Sequence, residues 1–235
     1  MGTAAIVPAA GRGERLGPGT PKALRDLGGV PMLVHAVTLL SRARSVDRVV
    51  VAAPPDQVDR VRQLLAGHQV GAEVAVVPGG SSRQESVRRA LRALPPDVDV
   101  VLVHDAARPL TPVDLVDAVA AAVRAGAAAV VPALPVTDTV KRVDATGAVA
   151  QTLDRAALRA VQTPQGFVRD VLEAAHAAAC DDGVVDVTDD AGLVERVGVP
   201  VRVVPGAEEA FKVTRPLDLL LAEAVLEQRR AAGVR

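Results

Sequence analysis

Short runs dominated by Val and Ala alternate along this chain with longer stretches in which apolar residues return every third or fourth position. The first pattern predicts strands at Ala4–Pro8, Arg48–Ala53, Glu73–Val77, Val98–His104, Ala128–Pro132 and Val201–Val204. The second predicts amphipathic helices over Met32–Arg42, Gln57–Leu65, Arg83–Leu94 and Pro112–Ala125, and a last helix over about Pro216–Arg230. Two helix starts carry capping-box patterns, SRQE at Ser82–Glu85 and TPVD at Thr111–Asp114, the second with Pro112 at the first helical position.

Apolar strands alternating with helices predict an α/β fold: a Rossmann-like, mainly parallel sheet flanked by helices. The segment Val136–Leu153 breaks that rhythm. DTVKRV and VAQTL flank the turn residues Asp144–Ala148, with Gly147 among them, and predict a protruding β-hairpin arm. The expected organisation is one domain over 1–235 with 136–155 as the arm. Sheets of this kind bind ligands beyond the carboxyl ends of their strands. That rule puts three loops on one rim: the opening segment VPAAGRGERLGPGTPKAL (Val7–Leu24), PGGSSR (Pro78–Arg83) and HDAARP (His104–Pro109).

Composition narrows the field. With 235 residues, 49% hydrophobic and 23% charged, the chain can build a real core. A net charge of −1 argues against a broad grip on nucleic acid, and 1% aromatic residues leave no base-stacking platform. Cys180 is the sole cysteine, which excludes an intrachain disulfide and a cysteine zinc cluster, and it is expected to face the core or be inert. No signal-peptide pattern or spanning apolar run is evident, so a cytoplasmic protein without membrane partners is expected. Of 27 basic side chains only three are lysines, Lys22, Lys141 and Lys212. Each lysine is therefore a clue that a compact ammonium matters at its position.

The opening loop lacks both the dinucleotide fingerprint and the Walker pattern, because its glycines are wrongly spaced and Ala follows Lys22. What remains is a long loop whose small residues let backbone N–H groups approach an anion, with Arg15 and Lys22 able to clamp phosphate oxygens. A flexible basic surface loop is the alternative. Asp105, ending an apolar strand on the same rim, is well placed to hold Mg²⁺, though an N-cap or ion-pair role is common there. PGGSSRQES offers helix N-terminal amides to a base edge or phosphate, with Ser86 one turn inside. Lys212, in AFKVTRP, is a lysine delivered from a distant strand to neutralise a phosphoryl group, or else a snorkelling surface side chain. His104 is expected to pack, and Asp189 or Asp190 to orient a neighbouring site residue.

Together these segments resemble the 2-C-methyl-D-erythritol 4-phosphate cytidylyltransferases of the non-mevalonate isoprenoid pathway. The resemblance rests on PAAGRGERLG, PKAL, VPGGSSRQESV, LVHDAARP, PVTDTVKRV, TLDRAALRAVQTPQGF, TDDAGLVE and FKVTRPLDL, and covers nearly the whole chain. Ala23, Ser81 and Gly192 depart from the family's usual residues. The resemblance implies that Pro8, Ala9, Ala10, Gly11 and Gly13 hold CTP, with Arg15 and Lys22 on its phosphates. It implies that Gly79, Gly80, Ser81 and Ser86 read cytosine and ribose, that Asp105 and Ala106 contact the nucleotide, and that Asp105 binds the divalent metal. It assigns Arg15, Lys22 and Lys212 to catalysis, with Lys212 on the α-phosphate. Arg108, Thr139, Arg155, Thr163 and Thr188 would surround the acceptor, and the arm would cross to a second subunit in a homodimer. The reaction implied is cytidylyl transfer from CTP with release of pyrophosphate, by direct in-line attack of an acceptor phosphate that needs no general base. A cytidylyltransferase for another polyol phosphate, such as ribitol 5-phosphate, and a catalytically silent nucleotide-binding relative are the competing expectations.

Overall fold

The computed structural model describes residues 2–11, 21–68, 70–182 and 187–233. The first half of the chain forms β1 (Gly2–Pro8), a short hairpin of β2 (Asp26–Leu27) and β3 (Val30–Pro31), α1 (Met32–Arg42) and β4 (Arg48–Ala53). It continues through α2 (Val58–Ala66), β5 (Glu73–Pro78), α3 (Arg83–Arg92) and β6 (Val98–Val103). The second half adds α4 (Val113–Arg124), β7 (Ala129–Pro135), a hairpin of β8 (Lys141–Val143) and β9 (Val149–Thr152), β10 (Arg159–Val161) and β11 (Gln165–Val168). It ends with α5 (Arg169–Asp181), α6 (Asp190–Arg196), β12 (Val201–Pro205) and α7 (Pro216–Ala231).

The main sheet runs in the order β10-β7-β11-β6-β1-β4-β5, with β12 also paired to β7. β1 is parallel to both β4 and β6, β4 to β5, and β7 to β12. β11 is inserted antiparallel between β6 and β7, and β10 lies antiparallel on β7. The mainly parallel α/β architecture is therefore as expected, with an antiparallel element in its middle that the pattern of the chain does not announce. β11 is short, carries Gly166 and follows Pro164, all of which read as loop. α5 and α6 also escape the periodicity, since the alanine-rich EAAHAAAC of α5 blurs the contrast between its faces.

Alternation along each central strand explains the layering. In β1, Ala5 and Val7 join one core with α1, α2 and α4. Ala4 and Ile6 join the other, with α3, α5 and α6. The central strands are buried on both faces, which is why they read as continuous apolar runs rather than half-polar ones. A smaller cluster of Leu27, Met32, Leu110, Val213 and Ala222 seats α7 against the β2–β3 hairpin.

The two expected capping boxes turn out differently. Ser82 caps α3 by accepting from Glu85 N at 3.0 Å. The Glu85 carboxylate instead takes the amide and hydroxyl of Ser81, at 2.7 and 2.8 Å, so only half of the box forms. α4 begins at Val113 with Pro112 in the cap position and no side-chain cap. Thr111 cannot serve, because its hydroxyl donates to Arg108 O at 3.1 Å. Cys180, expected to face the core or be inert, is exposed, which removes the first of those alternatives.

The arm is present. β8 and β9 pair antiparallel, and every residue in both is exposed. Its turn is organised by Asp144 Oδ1, which accepts from Thr146 N (2.9 Å), Thr146 Oγ1 (2.6 Å) and Ala148 N (3.1 Å), while Gly147 supplies a φ of 85°.

Candidate active site

Consecutive strands leave β1 in opposite directions: β4 lies on one side of it and β6 on the other. A crevice opens where strand order reverses, beyond the carboxyl ends of β1 and β6. Backbone bonds hold its loops in register. Ala9 N reaches Ala52 O at 2.8 Å, Gly79 N reaches Ala53 O at 2.7 Å, and His104 N reaches Ile6 O at 2.9 Å. A remote segment is stitched to the same place: Val213 N donates to Ala107 O at 2.8 Å, and the Arg108 guanidinium donates to Ala210 O. That clasp delivers Lys212, from an extended stretch outside β12 rather than from a strand.

The resulting cleft, of about 280 Å³, is lined by Pro8–Gly11, Lys22 and Ala23, Gly80–Arg83 with Ser86, Asp105–Ala107, and Lys212. The structure thus gathers most of the expected nucleotide set at one rim. Gly13 and Arg15 lie outside the described residues. Gly79 does not line the cleft but braces it: a Cβ there would collide with Ala10 Cβ and stand 3.0 Å from Ser86 Oγ. The Ser86 hydroxyl donates to Ser82 O (2.8 Å) and accepts from Gly80 N (3.0 Å), which fixes the shape of the glycine loop.

The expected acceptor-binding residues are not among the lining. Arg108 is buried beside the cleft, its guanidinium committed to Ala210 O and Val161 O. Thr163 lies beneath Asp105, its Oγ1 accepting from Asp105 N at 3.0 Å and bonded to His104 Nδ1 at 3.1 Å. Thr188 is exposed, as are Thr139 and Arg155, which lie on the arm at either side of the β8–β9 hairpin; Arg155 donates to Thr137 O.

Charge in the cleft centres on Asp105. Its Oδ2 is 2.8 Å from Lys212 Nζ and 3.9 Å from Arg108 Nε, and its Oδ1 is 3.2 Å from Arg83 Nε. Burial alone would raise this carboxyl. Attraction to Arg83 and Lys212, the hydrogen bond from Lys212 and the charge of Arg108 outweigh it and hold the group well below the usual carboxylate range. His104, fully buried, packs as expected; desolvation lowers its pKa to about 4, so the ring is uncharged at neutral pH. Arg83 is the charged residue of the described lining that the sequence did not single out. It sits inside a capping motif in an arginine-rich chain, and nothing local separates it from its neighbours.

Asp105 is the one carboxylate among the described lining residues, and no cluster of three metal-ligating side chains occurs among the described residues. That donor set fits Mg²⁺, which takes one or two carboxylates and completes its shell with waters and substrate phosphates. It does not suit a cation that needs an all-protein cage.

A rim equipped with small-residue amides, lysines and a single low-pKa carboxylate is suited to a polyphosphate. Nucleotidyltransferases are the class in which this fold and such a rim meet. A family model for 2-C-methyl-D-erythritol 4-phosphate cytidylyltransferase matches residues 3–228, and the chain belongs to that family. A relative of that name from Frankia casuarinae is 66% identical, over 95% of this chain and 80% of its own length. One from Streptomyces avermitilis is 61% identical, over 97% and 93%. The crystal structure of the Thermus thermophilus cytidylyltransferase superposes with a TM-score of 0.77 at 38% identity, covering 97% of this chain and all of that one. No helix among the described residues is long and apolar enough to cross a membrane.

Proposed function

We infer that this cleft transfers the cytidylyl group of CTP to 2-C-methyl-D-erythritol 4-phosphate, giving 4-diphosphocytidyl-2-C-methyl-D-erythritol and pyrophosphate. The observation that carries the reading is the convergence, on one rim, of the opening small-residue loop, Lys22, the glycine loop and the Asp105–Lys212 pair.

The acceptor is a phosphate monoester, already anionic at neutral pH, so attack on the α-phosphorus requires no proton abstraction. The work left to the protein is alignment and charge neutralisation. The backbone at Ala10 and Gly11 serves the triphosphate, with Pro8 and Ala9 shaping the loop; Lys22 meets the phosphate oxygens, and Gly13 and Arg15, outside the described residues, would join it there. Lys212 exchanges its bond to Asp105 for one to the α-phosphate and neutralises the charge that builds there. Gly80 and Ser81 shape the pocket for cytosine, the remaining acceptor capacity of the Ser86 hydroxyl meets its polar edge, and Gly79 keeps the loop close. Asp105 and Ala106 meet the ribose side. Asp105, with the triphosphate, would hold Mg²⁺, which supplies charge neutralisation and a template for the phosphates when bound. Arg108, Thr163 and Thr188 belong to the acceptor end. Thr139 and Arg155 act from the arm of a second copy, since they are exposed and outside the cleft of their own chain.

Pyrophosphate release tests the reading, measured with each of the four nucleoside triphosphates against several polyol phosphates, ribitol 5-phosphate included. Turnover is expected with CTP and the methylerythritol phosphate. Preference for another polyol would reassign the acceptor, and CTP binding without pyrophosphate release would make the chain a silent relative.

A further inference from the structure

Arg83 spans two carboxylates. Its Nε lies 3.2 Å from Asp105 Oδ1, and its Nη1 lies 2.6 Å from Asp190 Oδ2. Asp190 opens α6 and is buried. Its other oxygen meets His176 Nε2 of α5 at 2.9 Å. The guanidinium is therefore anchored at its inner end by a carboxylate that is itself held in place. The outer end grips one oxygen of the carboxylate at the centre of the cleft.

We propose that Arg83 is a positioning residue for nucleotidyl transfer, fixing Asp105 through Oδ1 so that Oδ2 stays presented to the cleft. The proposal rests on the reading of Asp105 given above. The other partners of Asp105 cannot do this. Lys212 is 38% exposed on a long stem and, in that reading, leaves Oδ2 for a phosphate during the reaction. Arg108 Nε stands 3.9 Å from Oδ2, beyond hydrogen-bond reach, while Nη1 and Nη2 are held away by Ala210 O and Val161 O. Once Lys212 has left, the bond from Arg83 is the one remaining side-chain hydrogen bond to this carboxylate among the described residues, and it holds the group against rotation. A planar, forked cation reaches two carboxylates at once, which a single ammonium does not.

A purely structural role is the competing account, in which Arg83 only neutralises the buried Asp190. Three variants separate the two. Arg83→Lys keeps the charge near Asp190 but loses the fork. The double variant Arg83→Gln/Asp190→Asn removes the half-buried cation and the buried carboxylate together and leaves Asp105 without its charged Oδ1 anchor. In both, kcat is expected to fall about 10- to 100-fold, the range for losing a partner that orients a metal-binding side chain, with KM for CTP changing far less. Mn²⁺ affinity in the presence of CTP and absence of acceptor, read by electron paramagnetic resonance, is expected to weaken by a similar factor. A parental kcat and Mn²⁺ affinity in either variant overturns the proposal. Asp105→Asn serves as the separate control. If it turns over normally, the reading of Asp105 itself is wrong; if it is inactive while Arg83→Lys is unaffected, only the role of Arg83 falls.

Discussion

At the scale of single residues, the charge of the cleft is concentrated in a few cations arranged around one carboxylate. Lys212 reaches Asp105 Oδ2 at 2.8 Å because Val213 N is tied to Ala107 O, so a residue more than a hundred positions downstream behaves as part of the β6 loop. The value of a preorganised donor lies in the transition state, where one such group contributes roughly 2–4 kcal/mol. Lys212→Ala is therefore expected to lower kcat by about 10²- to 10³-fold while KM for CTP moves much less. Steady-state kinetics checks this, and a variant with near-parental kcat would remove Lys212 from the mechanism. The residues most readable in the sequence were those with an unusual identity: a lysine among arginines, or an aspartate closing an apolar strand. Arg83 has neither distinction, and the positioning role proposed for it arises only from what faces it.

At the scale of elements, the strands β1, β4, β6 and β7 could be read directly, because burial on both faces leaves mostly apolar, Val- and Ala-rich runs. β11 could not. Its Gly166, a loop signal in one dimension, is required by packing in three: an added Cβ would stand 2.7 Å from Val119 Cγ1 and 3.0 Å from Val123 Cγ2 of α4, and 3.2 Å from Leu102 Cδ2 of β6. The two valines are branched at Cβ and stiff within their helix, so they cannot swing aside. Gly166→Ala is expected to destabilise the fold by about 1–3 kcal/mol, the usual cost of overpacking a dense core. The midpoint of urea unfolding measures it, and an unshifted midpoint would mean that α4 can retreat. The capping boxes teach the same lesson: the SRQE pattern marked the start of α3, yet Glu85 was diverted to Ser81 and Arg89.

At the scale of the whole molecule, the arm invites a test in trans, since Val143 and Val149 are 56% and 60% exposed and Thr139 and Arg155 stand outside the cleft of their own chain. If the arm completes the site of a second copy, two defective chains should rescue one another. Mixing and reassociating Arg155→Ala with Lys212→Ala should restore about a quarter of parental activity, from the single intact site of each heterodimer in a random mixture. Activity no higher than the sum of the separate variants, or a monomer by sedimentation, would exclude an arm that works in trans. By itself the sequence determined the α/β layering, the hairpin, and the three loops that share a rim, because these follow from local periodicity, turn residues and the general behaviour of parallel sheets. Only the tertiary structure decided that a strand runs backwards through the middle of the sheet, that Lys212 meets Asp105, and that Arg83 joins Asp105 to Asp190. Those pairings link residues far apart along the chain, and their energies depend on burial and mutual distance, quantities that no stretch of sequence carries on its own.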